Sequence, residues 1–364
     1  MASVNYKCPN CGGPLKFNPD KQKFSCDFCF SDFDEKTIQE LYAREEQKEN
    51  SDERDEKRAQ ERAKKAQEAG QTPEEEAVVY HCPSCGAEVV TTASTAATMC
   101  FYCQNPVVLG GRLSGEYKPD RVLPFELSRE KAIETFMGYC GKKKFLPKDF
   151  LSNEQIEKMT GVYFPYWYVD EQKQAHAEAE GKKIRTWTTG NKEYTETSVY
   201  NVVRGGDVII KNVFERALKS QDRDMLNGVH PFDLSKVKPF SMSFLSGFQA
   251  EKRDIEKAEL ENEMERRMNE YAKQLLEDTM EGYSTIKIRD FQEKTDLSSW
   301  NYTLLPVWVL TYKYNGQIMP YAINGQTGKL YGGLPVAKGK VWALFAIIAV
   351  LVFVVAMLGG LLFL

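Results

Sequence analysis

The order of apolar and polar positions changes character along the chain, and each change marks a different kind of element. From about Tyr117 the sequence turns aromatic and β-branched. Ser128 with Glu130 and Lys131 opens a helical pattern through Ala132, Ile133, Phe136 and Met137, and Ser152–Gln155 predicts a short capped helix ahead of Met159. Val162–Val169 predicts a strand with an internal proline. Polar alternation over Lys183–Thr189 and Thr195–Val203 predicts antiparallel strands with one wet face. Residues 249–279 predict one long helix whose stripe runs through Ile255, Leu260, Met264, Met268, Tyr271 and Leu275. Packing on its own domain is the expected use of that stripe, with a coiled-coil partner as the alternative. Leu304–Tyr314, Gln317–Ile323 and Lys329–Tyr331 predict a meander turning at Asn315-Gly316 and at Asn324–Gly328. Pro165-x-Trp167 and Pro306-x-Trp308 stand 141 residues apart in similar apolar settings, which hints at an internal duplication. Proline within such strands predicts edges or bulges.

The pattern ends in an uninterrupted run. Residues 341–364 are 24 positions without a charged side chain, sixteen of them Leu, Ile, Val or Phe. At about 1.5 Å per residue they reach roughly 36 Å, against about 30 Å of hydrocarbon. Those sixteen contribute a crude −5 to −10 kcal/mol towards insertion, at about −0.3 to −0.6 kcal/mol each. The expectation is a single-pass C-terminal anchor, with Trp342 at the interface. Lys338 and Lys340 before the span place residues 1–340 in the cytoplasm, and the amino end leaves no room for a signal segment.

Charge divides the remainder. Residues 34–76 hold fifteen acidic and nine basic side chains and are dominated by strong helix formers. Past one apolar turn (Ile38, Leu41, Tyr42) the stripe vanishes, so 34–77 reads as a charged helical linker. The net charge of −4 over 364 residues argues against a chain built to coat phosphate backbones.

Nine cysteines are too few for a disulfide scaffold, but eight of them form a repeat. Cys8 and Cys11 are followed after fourteen residues by Cys26 and Cys29. The unit recurs at an offset of 74 as Cys82, Cys85, Cys100 and Cys103. Each first pair is followed by glycine, Gly12 or Gly86. Four thiolates suit tetrahedral Zn²⁺, and with all four positions filled by protein the two ions would be structural. Iron shares this ligand set and stays open; a thioredoxin-like redox pair lacks its βαβ context. Ribbons of about thirty residues bury too little to fold alone, so each is expected to depend on its metal. His81 is a bystander beside four thiolates, and Cys140 is a small buried apolar residue.

Catalytic signals are scarce. His81, His176 and His230 are the three histidines, and none stands in a recognisable pairing. Gly325–Lys329 lacks the four-residue glycine spacing of a phosphate loop, and Leu330 stands where Ser or Thr would hold Mg²⁺. No enzyme activity and no small-molecule substrate is expected. Lys16, Lys21 and Lys23 with Phe17, Phe24 and Phe28 offer a basic and aromatic mix of the kind that contacts single-stranded nucleic acid. The second unit has no Lys or Arg between its cysteines, which disfavours a two-ribbon clamp.

The Cys-Pro-x-Cys-Gly…Cys-x-x-Cys units resemble the transcription factor IIB-type zinc ribbon. With the charged arm, the Asn-Gly-Gln-Thr-Gly-Lys turn and the C-terminal span, the layout is similar to membrane-anchored double zinc-ribbon proteins of Gram-positive bacteria. That resemblance implies phage-shock protein A-like or flotillin-like partners and a link to envelope stress. The fold expected is multidomain α+β: ribbon 1 over residues 1–33, linker 34–77, ribbon 2 over 78–113, a β-rich α+β domain over 114–336 and the transmembrane helix at 341–364. The function expected is a cytosolic-facing adaptor on the cell membrane, with a membrane-tethered nucleic-acid binder as the alternative.

Overall fold

A computed structural model describes residues 6–50, 78–82, 85, 88–91, 94–100, 105–109, 113, 117–147, 150, 159–219, 223–314 and 317–362. The amino end forms a three-stranded antiparallel sheet of β1 (Leu15–Asn18), β2 (Lys23–Cys26) and β3 (Asp32–Phe33). Helix α1 (Glu35–Asn50) follows directly. Its buried Ile38 and its Tyr42, set edge-on to Tyr6 at 5.0 Å, close over the sheet, so the linker's one apolar turn is used. The rest of the linker lies outside the described residues, as do Ser152–Gln155 and the Asn315-Gly316 turn. In the second ribbon β4 (Val78–His81) pairs with β5 (Glu88–Thr91), and β6 (Thr95–Met99) with β7 (Pro106–Val108).

The β-rich region is built on two strands of thirty residues each. They are β9 (Thr160–Thr189) and β13 (Thr285–Tyr314), preceded by β8 (Arg121–Val122) and helix α2 (Arg129–Gly141). Each strand is about 100 Å long at about 3.3 Å per residue. They pair antiparallel from Thr160↔Val309 to Lys182↔Thr285. β10 (Lys192–Arg216) turns back along β9, and helix α3 (Arg223–Gly228) and β11 (Lys238–Pro239) follow it. Then come β12 (Gln249–Glu251) and helix α4 (Lys257–Asp278). β14 (Gln317–Asn324) and β15 (Leu330–Tyr331) complete the expected meander. The ten-stranded sheet runs β11-β8-β13-β9-β12-β6-β7, with β10 on β9, β14 on β13 and β15 on β14.

Two expectations change here. The long helix begins at Lys257, not near 249, because Gln249–Glu251 is consumed as a strand between β6 and β9. A capping box between Glu256 and Glu259 then starts the helix. Its buried stripe is Leu260, Met264, Met268, Ala272 and Leu276, whereas Tyr271 and Leu275 face solvent. The stripe lies on β9, where Ala175, Ala177, Ala179 and Gly181 alternate with exposed Gln174, His176 and Glu178. Small residues on that face let the helix sit close, so α4 is spent inside its own domain. Second, both ribbons pack on the β-rich region rather than standing clear of it. β6 of the second ribbon pairs with β12, and Phe17 and Phe24 of the first pack on Phe244 in one continuous core.

The hint of duplication becomes a pseudo-two-fold repeat of β8–α2–β9–β10 and β12–α4–β13–β14. Trp167 Nε1 donates to Ile255 O at 3.0 Å, and Trp308 Nε1 to Leu127 O at 3.1 Å. Ala217 N donates to Pro165 O as Gly325 N donates to Pro306 O, at 3.0 and 2.9 Å. Asp254 and Ile255 N–H groups reach Ala217 O, and Glu126 and Leu127 N–H groups reach Gly325 O. Each unit's first strand crosses over: β8 runs parallel to β13, and β12 parallel to β9. The prolines are neither on edge strands nor in bulges. Pro165 falls where β9 passes from β12 at Tyr163 to β10 at Tyr166, and Pro306 where β13 passes from β8 at Leu304 to β14 at Val307. At such a handover no ladder partner requires the missing N–H.

Candidate metal centres and the C-terminal helix

In the first ribbon two tight turns aim their cysteines at one point. Gly12 N donates to Cys8 O at 2.8 Å, and Cys8 N to Gly13 O at 2.6 Å. The same ring recurs with Phe30 N to Cys26 O and Cys26 N to Ser31 O, both 3.0 Å. The left-handed residue is Gly12 (φ +73°) in one turn and Phe30 (φ +57°) in the other. A Cβ at Gly13 would meet the exposed Phe28 ring at 2.9 Å, so a larger residue there would have to displace that ring.

The four Sγ atoms of Cys8, Cys11, Cys26 and Cys29 lie within 4.8 Å of one another. Cys8 and Cys29 are 3.4 Å apart, and Cys11 and Cys26 3.5 Å. A tetrahedron with Zn–S bonds of about 2.3 Å has edges of about 3.8 Å, so the thiols need only small shifts to hold such an ion. All eight described cysteines are free thiols. Cys8 and Cys26 are buried, whereas Cys11 and Cys29 face outward. The Ser31 hydroxyl and backbone N–H bring the Cys29 thiol down to about 6. The Gly13 N–H pulls Cys11 down as well, but Cys26, Cys29 and Cys8 together push it up to about 12. A cation that displaces these protons is therefore bound less well as acid is added.

In the second ribbon Cys82, Cys85 and Cys100 also have ligand atoms within 4.8 Å, with Cys85 and Cys100 3.8 Å apart. Cys103 lies outside the described residues. Cys100 N donates to Asn105 O at 2.9 Å, the same closure as in the first ribbon. His81 belongs to β4, and Cys140 is buried in α2, where desolvation raises its thiol to about 11.

Lys16 pairs with Asp27 at 2.9 Å, Lys21 with Asp32 at 2.8 Å and Lys23 with Asp34 at 3.1 Å. Phe24 is fully buried against Phe17 and Phe244, whereas the Phe28 and Phe30 rings are exposed. The Gly325–Lys329 segment is a turn, in which Asn324 Oδ1 accepts from Gln326 N at 2.8 Å and Thr327 N at 2.9 Å.

Helix α5 (Lys338–Leu362) is the one helix among the described residues long and apolar enough to cross a membrane. It begins three residues before the expected span. Every described side chain from Val341 to Val355 is exposed. Its base is tied to the loop after α2: Ala337 N donates to Phe145 O at 2.7 Å, and Lys340 Nζ to Leu146 O at 2.6 Å.

No family model and no solved structure matches the chain. It is 29% identical over 346 residues to "Uncharacterized protein YdjG" of Bacillus subtilis (strain 168), and the similarity covers 95% of this chain and 94% of that protein.

Proposed function

We propose that the chain is a membrane-anchored zinc-ribbon adaptor. In this reading α5 crosses the cell membrane once, the residues before it lie in the cytoplasm, and two structural Zn²⁺ ions hold the ribbons. The ribbons and the sheet they join form a rigid surface on which membrane-associated proteins dock. The carrying observation is that two thiol clusters are fused to the same scaffold as a helix that is apolar and uncovered from Val341 to Val355. All-thiolate coordination favours a structural ion, because no ligand position remains for an activated water. The expected partners are phage-shock protein A-like or flotillin-like proteins, and the process served is envelope stress. Deleting residues 338–364 should move the chain and any partner that it recruits from the membrane fraction to the soluble fraction. A partner that stayed on the membrane to the same extent would refute the adaptor role.

A further inference from the structure

Beside the crossing of β8, β9 and β10 lies a cavity of about 540 Å³. Its walls are Arg121, Tyr168, Phe214 and the segment His230–Ser235, with Asn212 at the rim. Asn212 sits in the left-handed region (φ +60°) at the irregularity of β10 between Ile210 and Val213. Asp170 Oδ1 accepts its N–H at 2.6 Å. A strand that leaves its register beside a cavity is a common way of shaping a site.

The pseudo-two-fold repeat supplies an internal control. Arg121, Tyr168 and Phe214 occupy the positions that Gln249, Val309 and Ala322 hold in the other half. The fold is thus built twice, and only one copy carries a cation and two rings at these places. Packing alone does not account for them.

The polar groups of the cavity are incompletely satisfied. Arg121 Nε donates to Thr303 Oγ1 at 2.8 Å, and its guanidinium lies 5.7 Å from the Tyr168 ring centroid. Its Nη2 is buried without a hydrogen-bond partner, and no carboxylate among the described residues pairs with it. His230 is 7% exposed, stacked on Phe214 at 3.6 Å, and its Nε2 is also buried without a partner. Burial, helped by the Lys329 charge, lowers His230 to about 3, so its imidazole is neutral. The one carboxylate in the wall, Asp233, is engaged by Ser235 N at 3.0 Å and Ser235 Oγ at 2.6 Å. The Arg121 guanidinium thus stands in an aromatic cleft without a direct ion pair, while the Asp233 charge in the wall is held by Ser235.

We propose that this cavity binds a small carboxylate carried on a planar apolar body. Arg121 takes the carboxylate, and Tyr168, Phe214 and Phe232 enclose the body. One guanidinium matches one carboxylate in charge and fork geometry, whereas a phosphate dianion requires more donors than the walls offer. The neutral imidazole adds a polar edge without a second charge. The site stands whether or not the chain recruits partners, and on an adaptor it would be the place where a metabolite is sensed.

Benzoate is a suitable probe and benzamide its neutral counterpart, titrated into the ¹⁵N-labelled full chain in detergent while the histidine side-chain resonances are followed. Benzoate should shift the His230 signals saturably at millimolar concentration, with benzamide at least about tenfold weaker. Arg121→Gln should abolish the shift. Because Arg121 also holds Thr303, Phe232→Ala serves as a second variant that removes an enclosing ring and leaves the cation in place; it should weaken binding several-fold. Absence of a saturable shift in the unaltered chain, equal binding of benzamide, or unchanged binding in Phe232→Ala overturns the proposal.

Discussion

Phe30 occupies, at φ +57°, the left-handed position that Gly12 fills in the preceding turn, and its ring is 83% exposed. A bulky residue there costs about 1–2 kcal/mol, and little burial offsets it. Asparagine tolerates this conformation without glycine's added freedom in the unfolded chain. Phe30→Asn should therefore stabilise the metal-loaded chain by about 1 kcal/mol in thermal unfolding; an unchanged or lower midpoint would show that the Phe30 ring makes a contribution of its own. The cysteines were legible from spacing alone, because tetrahedral thiolate sites need pairs two residues apart. The strain at Phe30 was not, since the equivalent place in the other turn is glycine. The fate of Lys16, Lys21 and Lys23 was also missed, although a signal existed: each is followed eleven residues later by its aspartate. Only the β1–β2–β3 pairing turns that spacing into contact.

The repeated elements make a paired prediction. Trp167 and Trp308 each donate an indole N–H to a backbone carbonyl just ahead of a helix start, at 3.0 and 3.1 Å, and both are buried. Replacing either by phenylalanine strands a carbonyl and removes ring volume, a loss of about 1–3 kcal/mol from the hydrogen bond alone. Trp167→Phe and Trp308→Phe should cost similar amounts in denaturant unfolding. A cost confined to one of them would mean that the two halves share geometry without sharing energetics. The matched Pro-x-Trp motifs hinted at this symmetry, but the crossing of β8 and β12 between halves depends on long-range pairing that no local pattern records. The run from Gln174 to Gly181 shows the same limit. It lies between the strands expected at Val162–Val169 and Lys183–Thr189 and was assigned to neither, and its alanines looked merely neutral, until α4 proved to lie on the alanine face. Lys173, buried beside Glu171 at 3.0 Å and Glu293 at 3.2 Å, is invisible to a hydropathy pattern for the same reason.

For the whole molecule, the consequential feature is the contact between the ribbons and the β-rich region. Ribbon 1 is joined to the sheet by the Phe17 N to Ser246 O hydrogen bond at 3.0 Å, by Gln22 Nε2 to Phe125 O at 2.8 Å and by the Lys131–Asp20 pair. A ribbon of about thirty residues buries too little to stay folded by docking alone, so the binding free energy of a metal contributes directly to its folding. Chelation should therefore have graded effects in hydrogen exchange of the zinc-loaded full chain. Amides of residues 6–33 should lose protection, and so should Met242–Phe248, whose partners they are. Amides of Val162–Val169 and Tyr302–Leu310, at the centre of the ten-stranded sheet, should keep theirs. Loss over residues 6–33 with Met242–Phe248 still protected would mean that the ribbon unfolds independently of the sheet. Collapse of the central strands would show that the metal sites hold the entire scaffold, a larger role than the shared core implies.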